Sequence, residues 1–267
     1  MSEALRALEA QAEIRKLARV LGEPAERLGF LAEVPPGDIQ ALRERATTVL
    51  FDANVAVLRR MAAASRLLPA SVLARIAEKV FGPLLCARIA GLVDAHRGVE
   101  IASHLPAPFL ADVAAELDPR RASAVLAGIP TSTVGAVARE LARREDWITV
   151  GRFVGHVPAE AVAASIDVLD DAAVLRVAFV LDDKSRLPAV LRLLPATRLD
   201  GVVRAAVREG LWAEAFDVLL RLEPPLAGDL AAAVAALPAT DRERAAAKAR
   251  ALGLLDELGP ARDALLS

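Results

Sequence analysis

The sequence predicts an all-α protein, built as a right-handed superhelix (solenoid) of short helical repeats. The first observation is a recurring Leu/Val-Pro-Ala tripeptide, which begins at Leu68, Leu105, Val157, Leu194 and Leu237. The second is composition: hydrophobic residues make up 55% of the chain, aromatic residues only 3%, and tyrosine is absent. Alanine favours helices, whereas strands favour aromatic and β-branched side chains. The composition therefore favours helices throughout.

The repeat itself is visible as two similar stretches, residues 105–158 and 169–224. Trp147 and Trp212 occupy the same position in the two copies, and apolar anchors recur at steps of about 12 residues. Isolated helices of that length are marginal in water. Each helix must therefore pack on its neighbours, as helices do in a solenoid.

The elements before the repeats follow from apolar spacing and from breakers. We expect an amphipathic helix over residues 2–21 that ends at Gly22, a short helix over 24–31, and a breaker over 34–38. A long apolar helix is expected over 39–68, and Pro69 should begin the next helix. Residues 46–93 are the most hydrophobic block, so an apolar partner would be expected there.

The chain shows no linker rich in Ser, Gly or Pro. We therefore predict a single domain over residues 1–267. Within it we expect an N-terminal helical lobe (1–100), the repeats (101–240), and C-terminal capping helices (241–267) whose charged side chains suit the end of an array.

Charge and cysteine content restrict the class of protein. The chain has 33 basic and 35 acidic residues, and this balance argues against nucleic-acid binding by phosphate neutralisation. The single cysteine, Cys86, cannot form an internal disulfide, which favours a reducing compartment. No uncharged apolar run is long enough for a membrane-spanning helix, and the N-terminus lacks a secretion signal. These features predict a cytoplasmic location.

One repeat unit carries a family resemblance through Leu105-Pro106, Leu110, Leu117-Asp118-Pro119, Val125-Leu126 and Ile129. This pattern resembles the cytoplasmic N-terminal superhelical domain of MgtE-type magnesium transporters, over residues 100–240. The resemblance implies a curved stack of short helices with one concave and one convex surface. The CBS and membrane domains of full transporters do not follow in this sequence, so transport by this chain alone is not expected.

The strongest candidates for a cation site are Asp170, Asp171, Asp182 and Asp183, because carboxylate oxygens are the ligands of Mg²⁺ and Ca²⁺. Both pairs also stand where a helix needs an N-cap, and capping is the simpler interpretation. His104 and His156 precede equivalent Pro-Ala corners, so duplication explains them without a metal. His96 is interpreted as a solvated loop residue.

Trp147, Trp212, Phe81 and Cys86 are candidates for a binding surface, although core packing is the simpler explanation for the two tryptophans and burial as an unreactive thiol the simpler one for Cys86. Cys86 has no neighbouring base in the sequence that would activate it. Phosphate-binding loops and zinc motifs are absent, so neither a cofactor nor an enzymatic activity is predicted.

Two functions remain open, together with a third in which an unfamiliar site makes the protein an enzyme. The first is a non-catalytic repeat module, with or without a regulatory role, that binds another protein through its concave or apolar surface. The alternative is a carrier that holds a hydrophobic small molecule in an apolar groove or tunnel between residues 46–93 and the repeats. A homo-oligomer is compatible with both.

Overall fold

The computed structural model describes residues 3–52 and 55–267, and every regular element in these ranges is helical. The all-α prediction is confirmed. The α-helices are α1 (Glu3–Leu21), α2 (Pro36–Asp52), α3 (Val55–Ala64), α4 (Ala70–Ile76), α5 (Gly82–Ala90), α6 (Ala95–Ala102), α7 (Ala107–Glu116), α8 (Ser123–Leu126), α9 (Thr131–Arg143), α10 (Trp147–Phe153), α11 (Ala159–Ile166), α12 (Asp171–Phe179), α13 (Leu187–Leu191), α14 (Ala196–Glu209), α15 (Trp212–Leu219), α16 (Pro224–Ala235), α17 (Ala239–Ala251) and α18 (Pro260–Leu266). Tighter 3₁₀ turns lie at Ala25–Leu31, Ser65–Leu67, Lys184–Arg186 and Leu255–Glu257, and a π-helical turn lies at Ala77–Phe81.

The first helix follows the sequence prediction, although Ser2 lies outside the described residues. Gly22 has a φ of +68°, a backbone conformation that glycine adopts without steric cost. The amide of Glu23 then donates to the carbonyl of Ala18 at 3.0 Å, which satisfies a carbonyl at the end of α1.

The region predicted as a breaker and a long helix differs in the structure. Helix α2 already begins at Pro36, because proline has a helix-compatible φ and its missing N–H costs nothing in the first turn. The apolar helix expected over 39–68 is represented by α2 and α3, which end at Asp52 and Ala64. Residues 53 and 54, within that prediction, lie outside the described part of the chain.

The recurring prolines mark helix starts, as predicted. Pro69, Pro106, Pro158, Pro195 and Pro238 stand immediately before α4, α7, α11, α14 and α17. Each has a φ between −70° and −53° with an extended ψ, so the chain turns into the next helix directly after it. Proline is suited to this position because it fixes φ and lacks an N–H that the helix could not use.

The chain divides into two compact units. The terminal unit combines Met1–Arg43 with Asp170–Ser267, and the central unit is Glu44–Leu169. These bounds do not coincide with the predicted segments 1–100, 101–240 and 241–267, and the single-domain organisation stays a prediction. Among the described residues, no helix has both the length and the apolar character needed to cross a bilayer.

Within the central unit, alternate helices pack on one another. Helix α5 packs on both α3 and α7, and α9 packs on both α7 and α11. A second series runs from α4 through α6 to α8. Phe109, Val113, Leu117 and Leu126 form the centre of a buried apolar cluster between these elements.

The terminal unit packs α14 between α12 and α16, and α16 packs in turn against α18. Its core includes ionised side chains as well as apolar ones. Lys16 is only 2% exposed, and its ammonium forms an ion pair with Glu13 and a 3.1 Å bond to Asp182. Asp217, 1% exposed, accepts hydrogen bonds from Lys184 and Arg221.

Candidate ligand cavity

The central unit contains an apolar cavity of about 250 Å³ that is partly open to solvent. Its walls come from α3 to α11, and no charged side chain lines it. The first half of the unit contributes the side chains Met61, Leu73, Phe81, Cys86, Ile89, Val93 and Ile101, among others. The second half contributes Leu110, Val113, Leu117, Val125, Val134, Val137, Leu141, Phe153 and Val157, among others.

Helical periodicity directs the lining side chains inward. Val134, Val137, Ala138 and Leu141 all lie on one side of α9, because residues three and four apart share a helix side. Helix α7 presents Leu110, Val113 and Ala114 in the same way, and Leu117 follows directly after it. The wall is therefore made of the apolar stripes that would otherwise form an ordinary helical core.

Two glycines allow one wall to close tightly. A Cβ on Gly98 of α6 would lie 2.8 Å from a methyl carbon of Val125, and one on Gly128 would lie 2.9 Å from a methyl carbon of Val99. Distances this short exclude a side chain unless a neighbour moves. The two segments therefore pack closely at two points. Val125 contacts the backbone at Gly98, and Val99 contacts the backbone at Gly128.

Two arginines bind carbonyl groups at helix ends of the central unit without lining the cavity. Arg97 of α6 donates to the carbonyls of Ser65, at 3.0 and 3.3 Å, and of Leu68. Arg152 of α10 donates to the carbonyls of Ala115 and Leu117 at the end of α7. The last carbonyls of a helix lack partners within it, so these bonds satisfy groups that would otherwise need water.

The cavity wall has few polar side chains, namely Ser65, Cys86, Thr133 and Ser165, and three of them have partners within the protein. The hydroxyl of Ser65 donates to the carbonyl of Ala62 at 2.6 Å, and that of Ser165 donates to Ala161 at 2.7 Å. The thiol of Cys86 lies 3.8 Å from the carbonyl oxygen of Ala77, and burial raises its pKa to about 11. At neutral pH the cavity wall therefore carries no charge.

The four residues predicted as a binding surface are separated in the structure. Phe81 and Cys86 line the cavity of the central unit. Trp147 begins α10 and is not among the lining residues. Trp212 begins α15 in the terminal unit, where it stacks on Phe216 with ring centres 6.4 Å apart and lines a smaller apolar cavity of about 50 Å³.

The four aspartates proposed as cation ligands bind groups of the protein itself. Asp170 caps α12 by accepting the amide of Ala173 at 2.7 Å, and Asp183 caps the turn at Lys184–Arg186. Hydrogen bonds from Ser185 hold the pKa of Asp183 below its ordinary value. Capping is confirmed at these two positions.

The other two aspartates are not caps but partners of basic side chains. Asp171 accepts bonds of 2.7 and 2.9 Å from Arg198, and Asp182 accepts bonds of 3.1 Å from both Lys16 and Arg43. In the described part of the chain, no group of three or more His, Cys, Asp or Glu side chains could hold a metal ion.

The loop assignment around His96 was wrong. Asp94 accepts the amide of Arg97 at 3.3 Å and caps α6, so His96 lies in the first helical turn, where it is exposed. His104 and His156 each stand two residues before the proline that precedes α7 or α11.

Sequence reasoning predicted a groove between residues 46–93 and the repeats, but it did not single out α9 and α10 as contributors to the wall. The signal was present as the apolar positions 134, 137, 138 and 141, which are indistinguishable from a core stripe. No protein-family model matches the chain, and neither does any curated protein or solved structure that was compared.

Proposed function

We propose that the central unit binds a hydrophobic small molecule in its apolar cavity. The observation that carries this proposal is a volume of about 250 Å³ whose wall has no charged side chain. An engineered apolar cavity of about 150 Å³ in another protein stays dry and takes up benzene. Water in this cavity would lack the polar partners it needs, so an apolar molecule is the favoured occupant.

The energetic cost of leaving the cavity empty supports the same conclusion. Lost packing costs about 24 cal/mol for each Å³ of cavity. The same loss of packing applies to the part of this cavity, about 250 Å³ in volume, that is closed off from solvent. A ligand that fills the void recovers part of this free energy, since it binds the folded chain and not the unfolded one.

The lining indicates which chemical class of ligand fits. Because no charged side chain lines it, the wall selects for apolar surface rather than for a particular functional group. A charged group at the end of a ligand would have to stay in water, because a buried unpaired charge is costly. A neutral chain-like or ring-like molecule, or the hydrocarbon part of an amphiphile, meets these requirements.

Native mass spectrometry, followed by a denatured measurement, tests for a bound molecule that leaves on unfolding. Titration with straight-chain alcohols then tests the site itself. Each buried methylene contributes about 0.8 kcal/mol, so the Kd should fall about fourfold per carbon until the cavity is full.

Val137→Trp, which places an indole in the cavity, should weaken alcohol binding at least tenfold by occupying the site. Ser132→Trp is the matched control, because Ser132 is exposed on the same helix and does not line the cavity. Equal affinity in both variants, or no binding by the natural chain, would contradict the proposal.

The second candidate is a module that binds a protein partner, which is the function expected if the chain is a superhelix that resembles the MgtE N-terminal domain. The packing of alternate helices within each unit supports it, because solenoids stack in this way and use extended surfaces for binding. A clean ligand-free mass and no alcohol binding, together with a protein recovered at stoichiometric amounts, would favour this function over the first.

A further inference from the structure

One segment of the central unit, residues 55–93, exposes large apolar side chains. Leu67 and Val80 are 82% and 74% exposed. The other exposed ones in the segment are Val57, Leu68, Val72 and Leu84. In contrast, residues 85–169, all of which are described, expose no large hydrophobic side chain. Val49, also exposed, lies just before the segment. The exposed large apolar side chains described in this unit thus lie within residues 49–84 rather than being scattered, which is typical of an interaction surface.

The same segment is strongly basic. It contains six basic residues and one acidic residue, Glu78, for a net charge of +5. The whole chain has a net charge of −2, which leaves −7 for all the other residues. The basic residues are Arg59, Arg60, Arg66, Arg75, Lys79 and Arg88, and the first five of them are exposed.

Basic and apolar side chains share the solvent side of its helices. On α3, Leu58 and Ala62 are buried, while Val57 and Arg60 are exposed three residues apart. On α4, Val72 and Arg75 repeat that spacing, opposite the buried Ala70 and Ala74. Residues three apart lie on the same side of a helix.

We propose that residues 55–93 dock on a bilayer surface that contains anionic lipids. Helices that lie in a membrane interface combine apolar side chains, which enter the acyl boundary, with arginines and lysines that meet anionic headgroups. Each basic residue near such a surface contributes about 1 kcal/mol. The net charge of +5 in an otherwise acidic chain provides this complementarity, and it orients the segment toward the membrane.

The proposed docking extends the ligand-binding function and rests on it, because the docked segment also forms one wall of the cavity. Met61, Leu73, Phe81 and Cys86 of the same segment line the apolar cavity. A hydrophobic molecule dissolved in the bilayer would thus meet the element that forms one wall of its binding site. Docking brings the cavity to the phase in which such ligands are concentrated.

The test is sedimentation of the full chain with vesicles of phosphatidylcholine alone and of an equal mixture of phosphatidylcholine and phosphatidylglycerol. We expect binding to the mixed vesicles, weakened by added salt, and little binding to the neutral ones. Arg59→Gln/Arg60→Gln/Arg75→Gln should lose about fivefold in affinity per replaced arginine. The matched control is Arg204→Gln/Arg208→Gln/Arg250→Gln, three exposed arginines of the terminal unit.

A second variant, Leu67→Ser/Val80→Ser, tests the apolar part of the surface. Both side chains are exposed, so helix content by circular dichroism should stay unchanged while vesicle binding falls. Equal sedimentation of the arginine variant and its control, or salt-insensitive binding to neutral vesicles, would overturn the proposal. So would recovery of an acidic protein partner on this surface without any vesicle binding.

Alcohol titration without vesicles keeps the two proposals distinguishable. A chain that binds alcohols but not vesicles retains the cavity function and loses the docking surface. A chain that binds vesicles but not alcohols retains the surface and loses the cavity function.

Discussion

The central and terminal units are both built from short helices, but they differ in what they bury. In the terminal unit Glu13, Lys16, Arg43, Glu214 and Asp217 are buried with basic or acidic partners. The cavity in that unit is only about 50 Å³. Among the described residues of the central unit, Asp118 is the one buried ionisable side chain, and the cavity is about 250 Å³.

This difference shows two ways in which a chain with few aromatic residues can hold short helices together. Buried ion pairs are directional, so they fix how the helices of the terminal unit meet, at the cost of removing charges from water. Apolar contacts are not directional, and small side chains such as alanine leave space between helices. In the central unit this space forms the cavity. Arg97 and Arg152 bind carbonyl groups at helix ends outside it.

The largest expected effect comes from breaking the buried ion pairs. Asp217→Leu leaves Lys184 and Arg221 without their shared carboxylate, so the terminal unit should lose about 3–5 kcal/mol of unfolding free energy. Burial already lowers the pKa of Lys184, which shows how poorly this site solvates a charge. Urea unfolding followed by Trp212 fluorescence, in a Trp147→Phe background, measures the loss.

Asp200→Leu is the control, because Asp200 forms only an exposed pair with Arg204 and should cost less than about 0.5 kcal/mol. Similar losses in the two variants would mean that the buried pairs do not hold the terminal unit together.

Replacing a buried alanine with leucine should raise the free energy of unfolding in the central unit and lower it in the terminal unit. Ala114 is buried but lines the cavity, so Ala114→Leu should fill space and stabilise the central unit by about 0.5–2 kcal/mol. Ala205 is buried in α14 and lines neither cavity, so Ala205→Leu should overpack and cost about 1–3 kcal/mol. Unfolding followed by the tryptophan of each unit measures both, and a cost at both positions would argue against usable space around Ala114.

The smallest expected effect is on acid stability. Hydrogen bonds from Arg143 and Arg144 lower the pKa of Glu140 to about 2, below the ordinary value of about 4.3. A lowered pKa means that ionised Glu140 stabilises the folded state above about pH 4.3, and that this contribution is lost as the pH falls through 2. The partner Arg143 is 70% exposed, so salt should reduce the effect.

Glu140→Gln should therefore flatten the pH dependence of the central unit between pH 4.3 and 2, and leave that of the terminal unit unchanged. Trp147 fluorescence at low and high salt measures the first, and Trp212 fluorescence measures the second. If Glu140→Gln leaves the pH dependence of the central unit unchanged, the ion pairs of Glu140 with Arg143 and Arg144 do not contribute to its acid stability.

Local signals in the sequence predicted most helix starts, because they depend on residues that act on their own backbone. Pro106 and Pro158 fix φ before a helix, Gly22 ends α1, and Asp170 caps α12, each through bonds within a few residues. Of the pair Asp182-Asp183, only Asp183 is a cap; Asp182 instead binds Lys16 and Arg43, which are far away in the sequence. The separation of Trp147 and Trp212 into different units was equally invisible in the sequence.

The sequence by itself determined that the chain is helical, where its turns fall, and that residues 46–93 are too apolar to be left entirely in water. Only the tertiary structure decided that α9 and α10 complete a cavity with those residues, and which carboxylates are buried with which bases. The physical reason is the distance along the chain over which each effect acts. Propensity and capping act within one helical turn, whereas a cavity is the space left after many side chains, distant in sequence, have packed.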